Sequence, residues 1–202
     1  KNKPLDKSVD LNALSKKTTG MAGADLANLA NESAIVAARR DRKVIQNSDI
    51  VEAFERVAIG PERKNRVMTE RDREMTAYHE GGHALVGFTL PNAGGLHKVT
   101  IIPRGGTGGV TWFLEEEDKT YTSINEFKDF MARALGGRIA EKIIYGEDWV
   151  TTGAGSDLKK AAQVAREMII EQGMGKQLRN QVFHEDEGGM MLDRMVHSKP
   201  YS

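Results

Sequence analysis

The chain has 202 residues, with 29 Lys+Arg against 29 Asp+Glu and a formal net charge of zero. That balance lacks the basic excess of a nucleic-acid footprint, and the absence of cysteine excludes a disulfide framework and a thiolate zinc site. The length suits one or two small domains, and no stretch approaches the roughly 18 consecutive apolar residues that would cross a bilayer.

Residues 10–60 read as a small helical unit. Asp10 is placed to cap a short helix through Lys17, which Thr18-Thr19-Gly20 breaks. A stronger helix runs from residue 23 to about 40, with Leu26, Leu29, Ala30, Ala34 and Ala37 on one face. Asn47 or Ser48 suits the cap of a third helix, with Ile50, Phe54 and Val57 as its stripe, and Gly60-Pro61 stops it. Residues 62–70 are charged and without period, as a linker would be.

A new unit begins near Thr69. A helical stripe of Met75, Tyr78, Gly82 and Val86 runs up to Pro91. Two segments rich in Val, Ile, Thr and Trp follow, 97–102 and 108–114. Pro103-Arg104-Gly105-Gly106-Thr107 joins them as a hairpin or as neighbouring strands. Ser123 and Glu126 form a capping box for a long helix to about Tyr145, with Phe127, Phe130, Met131, Ala134 and Leu135 inward. A last helix spans about 156–171, with Leu158, Ala161, Ala162, Ala165 and Met168 inward and Gly173 as its left-handed stop. The chain opens without an initiator methionine and ends on Lys199-Pro200-Tyr201-Ser202, as expected of a piece of something longer.

The chemistry concentrates in His79-Glu80-Gly81-Gly82-His83. Positions i and i+4 of a helix share one face, so both imidazoles can grip one metal ion. The glutamate after the first histidine can then reach a water at that ion. H-E-x-x-H on a helix is the zinc-peptidase signature. Gly81 and Gly82 each cost about 1 kcal/mol in a helix relative to Ala, which suggests close approach by another element. His97, His184 and His197 lack metal-like spacing and read as surface histidines.

Catalytic zinc takes three protein ligands and keeps a position open. Asp157 is the first candidate for the third, because it follows Thr151-Thr152-Gly153-Ala154-Gly155 at the start of a helix, where negative charge is favoured. A plain first-turn aspartate is the competing reading. Glu141, in Arg138-Ile139-Ala140-Glu141-Lys142, is the rival. It could be a ligand, a carboxylate that orients a histidine N–H, or a surface ion pair.

With these residues assembled, the chain resembles the FtsH type of membrane-anchored AAA+ zinc metalloproteases. The resemblance rests on Thr76-Ala77-Tyr78-His79-Glu80-Gly81-Gly82-His83-Ala84, on His97-Lys98-Val99-Thr100-Ile101-Ile102-Pro103-Arg104-Gly105 and on Gly136-Gly137-Arg138-Ile139-Ala140-Glu141. Thr152-Gly153-Ala154 followed by Asp157, and Gly23-Ala24-Asp25-Leu26 upstream, complete it. It implies a mainly α (α+β) chain: an AAA+ lid bundle over 1–60, a linker over 61–69, and a zincin-like peptidase domain with a small sheet over 70–202, short of its closing helices. It favours Asp157 over Glu141 as third Zn²⁺ ligand beside His79 and His83, makes Glu80 the catalytic base, and puts Glu141 behind the ligands. It implies that Gly23 and Ala24 line the adenosine of ATP, and that Val99, Thr100 and Ile101 pair with an extended substrate strand.

No G-x-x-x-x-G-K-[ST] occurs in the chain, so ATP is expected to be held mainly by a core outside it. The implied parent is a homo-hexamer degrading unfolded or membrane proteins. It would be tethered by transmembrane helices outside this stretch, with this part soluble and on the cytoplasmic or equivalent organellar side. No nucleic-acid partner is expected. The alternative is an assembly and nucleotide-sensing module whose peptidase half is incomplete. The family usually has alanine where Gly81 stands, which implies a looser helix with unchanged chemistry.

Overall fold

Local signals in the chain build six α-helices and one two-stranded sheet among the residues that the computed structural model describes: 3–63, 65, 67–114, 119–177 and 180–183. The order is α1 (Leu11–Lys17), α2 (Gly23–Arg39), α3 (Asn47–Ile59), α4 (Glu70–Thr89), β1 (Gly95–Thr100), β2 (Val110–Leu114), α5 (Ile124–Tyr145) and α6 (Gly155–Arg166), with a π-helical turn at Glu167–Glu171. The fold is mainly α. His184 and His197 lie outside the described residues.

The first three helices form an apolar unit. Asp10 caps α1 by accepting the N–H groups of Asn12 and Ala13. In α2 the buried face is Leu29, Ser33, Val36 and Ala37, turned from the expected stripe; Leu26 and Ala30 are exposed instead. Ser33 tolerates burial because its hydroxyl donates to the Leu29 carbonyl at 2.7 Å. Leu26 and Ala30 line an open, largely apolar groove of about 580 Å³ with Leu5, Leu11 and Leu14. The cap of α3 also differs: Gln46 is the N-cap residue, and its N–H donates to Asp49 at 3.0 Å. Asp49 is fully buried and pairs with Arg40 at 2.6 Å and Arg42 at 2.7 Å, which satisfies a charge that burial would otherwise penalise. Leu29, Val36, Ala53 and Phe54 form the centre of this unit, and Ala37, Ile45 and Ile50 a second cluster.

α3 ends at Gly60, whose φ of +87° suits a residue without Cβ. The residues after it are paired rather than free: the Arg63 N–H donates to the Pro103 carbonyl at 2.8 Å, and Glu62 bridges Arg104. Arg104 is buried and its Nη2 reaches both Glu55 (2.9 Å) and Glu62 (2.5 Å). Lys98 adds a second cation to this cluster, 2.5 Å from Glu55.

β1 and β2 pair antiparallel, with Thr100 opposite Val110 and a bulge between Leu96 and Lys98. β1 ends at Thr100, two residues short of expectation, where the Thr100 hydroxyl accepts the Ile102 N–H at 3.0 Å. Alternation makes β2 two-faced. Trp112 stacks on Phe54 of α3 with centroids 5.0 Å apart, and Trp112 and Leu114 extend the apolar cluster. His97 is not a surface histidine: its half-buried ring meets Trp112 and Phe54 edge-on, at 4.9 and 5.9 Å. Phe113, on the opposite side of β2, covers Gly87 of α4.

α4 and α5 cross where Gly82 meets Gly136. A Cβ on Gly82 would lie 2.4 Å from the Gly136 carbonyl oxygen, so the close approach expected of that glycine is present. Gly81 faces open space. α6 turns Ala161 and Met168 inward, whereas Leu158 and Ala162 are exposed. Residues 157, 161, 164 and 168 share a helical face, so the buried side of α6 is the one that carries Asp157.

Candidate metal centre

Three chain segments converge at the α4–α5 crossing. α4 carries His79 and His83 one turn apart, and the first turn of α6 brings Asp157 to them. The two Nε2 atoms are 3.0 Å apart, and Asp157 Oδ2 lies 3.4 Å from His79 Nε2 and 3.5 Å from His83 Nε2. A tetrahedral zinc ion with ligands at 2.0–2.2 Å has donor–donor edges of about 3.3–3.6 Å. The two edges to Asp157 match one face of such a tetrahedron, and the 3.0 Å edge between the imidazoles is somewhat shorter.

The far side of each ring fixes its tautomer. His83 Nδ1–H donates to the Arg133 carbonyl at 2.8 Å, which obliges its Nε2 to carry a lone pair when the ring is neutral. His79 Nδ1–H donates to Glu141 Oε1 at 2.7 Å, with the same consequence. Two lone pairs thus face each other beside a carboxylate, an arrangement that only a cation or a shared proton relieves. Burial pulls the His79 imidazole down, but the Asp157 and Glu141 carboxylates reverse this and leave it above the ordinary histidine range. Burial raises Asp157, and its attraction to both imidazoles, which a shared proton would bridge, more than offsets that, holding its carboxyl far below the usual range. Among the described residues, His79, His83 and Asp157 are the group with metal-holding geometry.

Glu141 stands behind this triangle. It is 2 % exposed, and both carboxylate oxygens are occupied: Oε1 by His79 and Oε2 by the Thr151 N–H at 2.7 Å. Thr151 opens the turn that leads to Asp157 and steadies it by accepting the Gly153 N–H at 3.1 Å. One side chain thereby orients a ligand on α4 and anchors the loop before the ligand on α6.

Glu80, beside His79 on α4, meets the sheet. It is 7 % exposed. Its Oε2 accepts a hydrogen bond from the Thr111 hydroxyl at 2.6 Å, and its carboxylate lies over Gly109, where a Cβ would come within 2.8 Å. Burial raises its carboxyl above the ordinary glutamate range. The Thr111 hydroxyl and the two imidazoles pull the other way, and Asp157 adds to the rise.

Of the remaining expected positions, Val99 and Thr100 lie on β1 and Ile101 one residue beyond it, while Gly23 and Ala24 stand exposed in the first turn of α2. Thr111 and the Arg133 carbonyl do not stand out in the sequence, while Thr151 and Gly137 stand there only as parts of a loop and a motif, without a role. A Cβ on Gly137 would sit 2.6 Å from both imidazoles. The signal for Gly137 was available: Gly136-Gly137 inside a helix carries the same cost as Gly81-Gly82. The Arg133 carbonyl and the Thr151 N–H, as backbone groups, carry no side-chain signature.

Known proteins resemble this chain along nearly its whole length. A sequence model of peptidase family M41 matches residues 66–202, and one of the AAA+ lid domain matches residues 8–52. The ATP-dependent zinc metalloprotease FtsH of Synechococcus sp. (strain JA-2-3B'a(2-13)) is 48% identical over 197 residues, covering 97% of this chain and 31% of that protein. The ATP-dependent zinc metalloproteases FtsH of Kosmotoga olearia (47% identical, 100% of this chain, 31% of that protein) and Bacillus subtilis (46%, 95% and 30%) are similar throughout. The chain thus spans under a third of the length of these three relatives.

Proposed function

The chain belongs to peptidase family M41, and on that premise we propose that it is the peptide-cleaving part, with adjoining lid, of an ATP-dependent zinc endopeptidase. The observation that carries this is the donor triangle: two imidazole nitrogens fixed as lone-pair donors, and one carboxylate oxygen, at 3.0, 3.4 and 3.5 Å. His79, His83 and Asp157 hold the ion. Zinc bound there supplies Lewis acidity, lowering the pKa of water towards about 7 and polarising a carbonyl oxygen.

The chain's own residues do the rest. Glu80 accepts the proton of the water that attacks the scissile carbonyl and passes it to the leaving amine. Its raised carboxyl suits a group that must both take and give a proton. Glu141 holds His79 in the tautomer that presents Nε2 and keeps the Asp157 loop in place. The edge of β1 around Val99, Thr100 and Ile101 that is unpaired among the described residues receives the substrate as an added strand, by main-chain hydrogen bonds. The lid unit, residues 1–60, borders the nucleotide at Gly23 and Ala24, and residues 61–69 join it to the peptidase unit, 70–202. The whole protein is a hexamer acting on unfolded or membrane proteins and anchored by membrane spans; no helix among the described residues is long and apolar enough to be one.

Metal analysis paired with peptide cleavage tests this. The purified protein is expected to bind one zinc per chain. Glu80→Gln keeps the zinc and loses turnover, while Asp157→Asn loses zinc more severely than Glu141→Gln does. Turnover retained in Glu80→Gln overturns the base, and the reverse order of metal loss exchanges the roles of Asp157 and Glu141.

A further inference from the structure

A general base works only if its carboxylate is held, and a glutamate has three rotatable bonds to lose. In this protein the groups that hold Glu80 come from β2 and the turn before it, not from the helix that carries it. The Thr111 hydroxyl lies 2.6 Å from Glu80 Oε2 and 2.9 Å from the Glu80 carbonyl oxygen. A hydroxyl has one proton, so it serves one acceptor at a time. The shorter, charge-assisted bond goes to the carboxylate. Gly109 closes the other side, because only the missing Cβ leaves room for Glu80 Cγ and Oε1.

Thr111 is itself held firmly. As a β-branched residue it has few χ1 options, and its neighbour Trp112 points the opposite way, into the stack with Phe54 of α3. Resting on the peptidase reading above, we propose that Thr111 is the positioning residue of the general base. Its hydroxyl fixes the Glu80 carboxylate in the one orientation from which it can take a proton from the attacking water. The brace behind it is the lid unit, through Phe54 and Trp112.

The test uses the full-length, zinc-loaded protein and a short unstructured peptide substrate. Thr111→Val preserves shape and removes only the hydroxyl. It is expected to lower kcat about ten- to a hundredfold, a part of the roughly 10²–10⁴-fold that a general base contributes. KM is expected to stay within about twofold, with zinc content and melting temperature unchanged. Thr111→Ser restores most of the kcat. A crystal structure of Thr111→Val supplies a readout independent of turnover: the Glu80 carboxylate leaves its present position or splits between conformers. An unmoved carboxylate, an unchanged kcat, or a Thr111→Ser variant as slow as Thr111→Val overturns the proposal. Glu80→Gln run alongside separates the two ideas. Full turnover there sinks the base assignment, while the Thr111→Val structure still decides whether Thr111 holds the carboxylate.

Discussion

The lid and peptidase units solve the problem of packing in opposite ways. The lid buries apolar volume: Leu29, Val36, Ile45, Ile50 and Phe54 fill its interior, and its buried carboxylates are paired, Asp49 with Arg40 and Arg42 and Glu55 with Lys98 and Arg104. Among the described residues the peptidase unit buries little of that kind. Its buried apolar residues there are Ala93, Ala154, Ala161 and Met168, while Glu80, Glu141 and Arg104 lie inside alongside glycines at the helix crossing. One unit is held by side-chain volume, the other by backbone proximity and satisfied polar groups. The second arrangement allows less hydrophobic stabilisation but sets carboxylates and imidazoles at fixed distances, as a catalytic centre requires.

The contrast can be broken from either side. Phe54→Ala removes the largest apolar group at the lid centre and the platform under Trp112. It should cost about 3–5 kcal/mol, measured by urea unfolding; a loss below about 1 kcal/mol would place the lid's stability elsewhere. The adjacent glycines of α4 sharpen the other side. Gly82→Ala forces a methyl into the Gly136 backbone and should cost about 1–3 kcal/mol. Gly81→Ala, facing open space, should stabilise by up to about 1 kcal/mol. Equal effects at both sites would refute packing by proximity.

Glu141→Gln keeps the volume but cannot serve both the His79 N–H and the Thr151 N–H as well as a carboxylate does. Zinc affinity should fall about 10–100-fold, read by competition with a chelator, with the melting temperature of the lid unaffected. The smallest effect is electrostatic and lies at the start of α5. Lys119 and the Ser123 backbone and hydroxyl hold Glu126 down to about 2. A carboxyl depressed on folding adds stability above its unfolded value near 4.5, and that contribution disappears as pH falls from there through about 2. The melting temperatures of the wild type and Glu126→Gln should therefore differ slightly at pH 6 and merge near pH 2; a gap that widens in acid would contradict the sign. Glu126 is exposed, so salt should shrink the gap.

The same contrast explains what was legible in the sequence. Helix starts carried by one side chain were readable: Asp10 and the Ser123–Glu126 box stand where expected. So was the histidine pair, because spacing on a helix is geometry. Asp157 was readable as a residue that needed a reason for its place. The face of α2 was not, since Ser33 is buried through a hydrogen bond to its own helix, which hydropathy cannot register. His97 was missed because its setting is two aromatic rings distant in sequence, Phe54 and Trp112. Thr111 was missed because a threonine in a strand is ordinary, and only the pairing of β1 with β2 and their seat on α4 give it a carboxylate to hold. Spacing within one element could be read directly; of the meetings between elements, those of Asp157 and Glu141 with the histidines were named as candidates and the others were not.

The alternation along β2 has a consequence for how this chain can change. Sliding the strand by one residue against β1 would exchange the places of Thr111 and Trp112. An indole would then be driven towards the α4 side, and a hydroxyl would be left against the phenyl ring of Phe54. An insertion or deletion in the connection from Thr100 to Val110 is therefore tolerable only if the loop absorbs it and the parity of the strand survives.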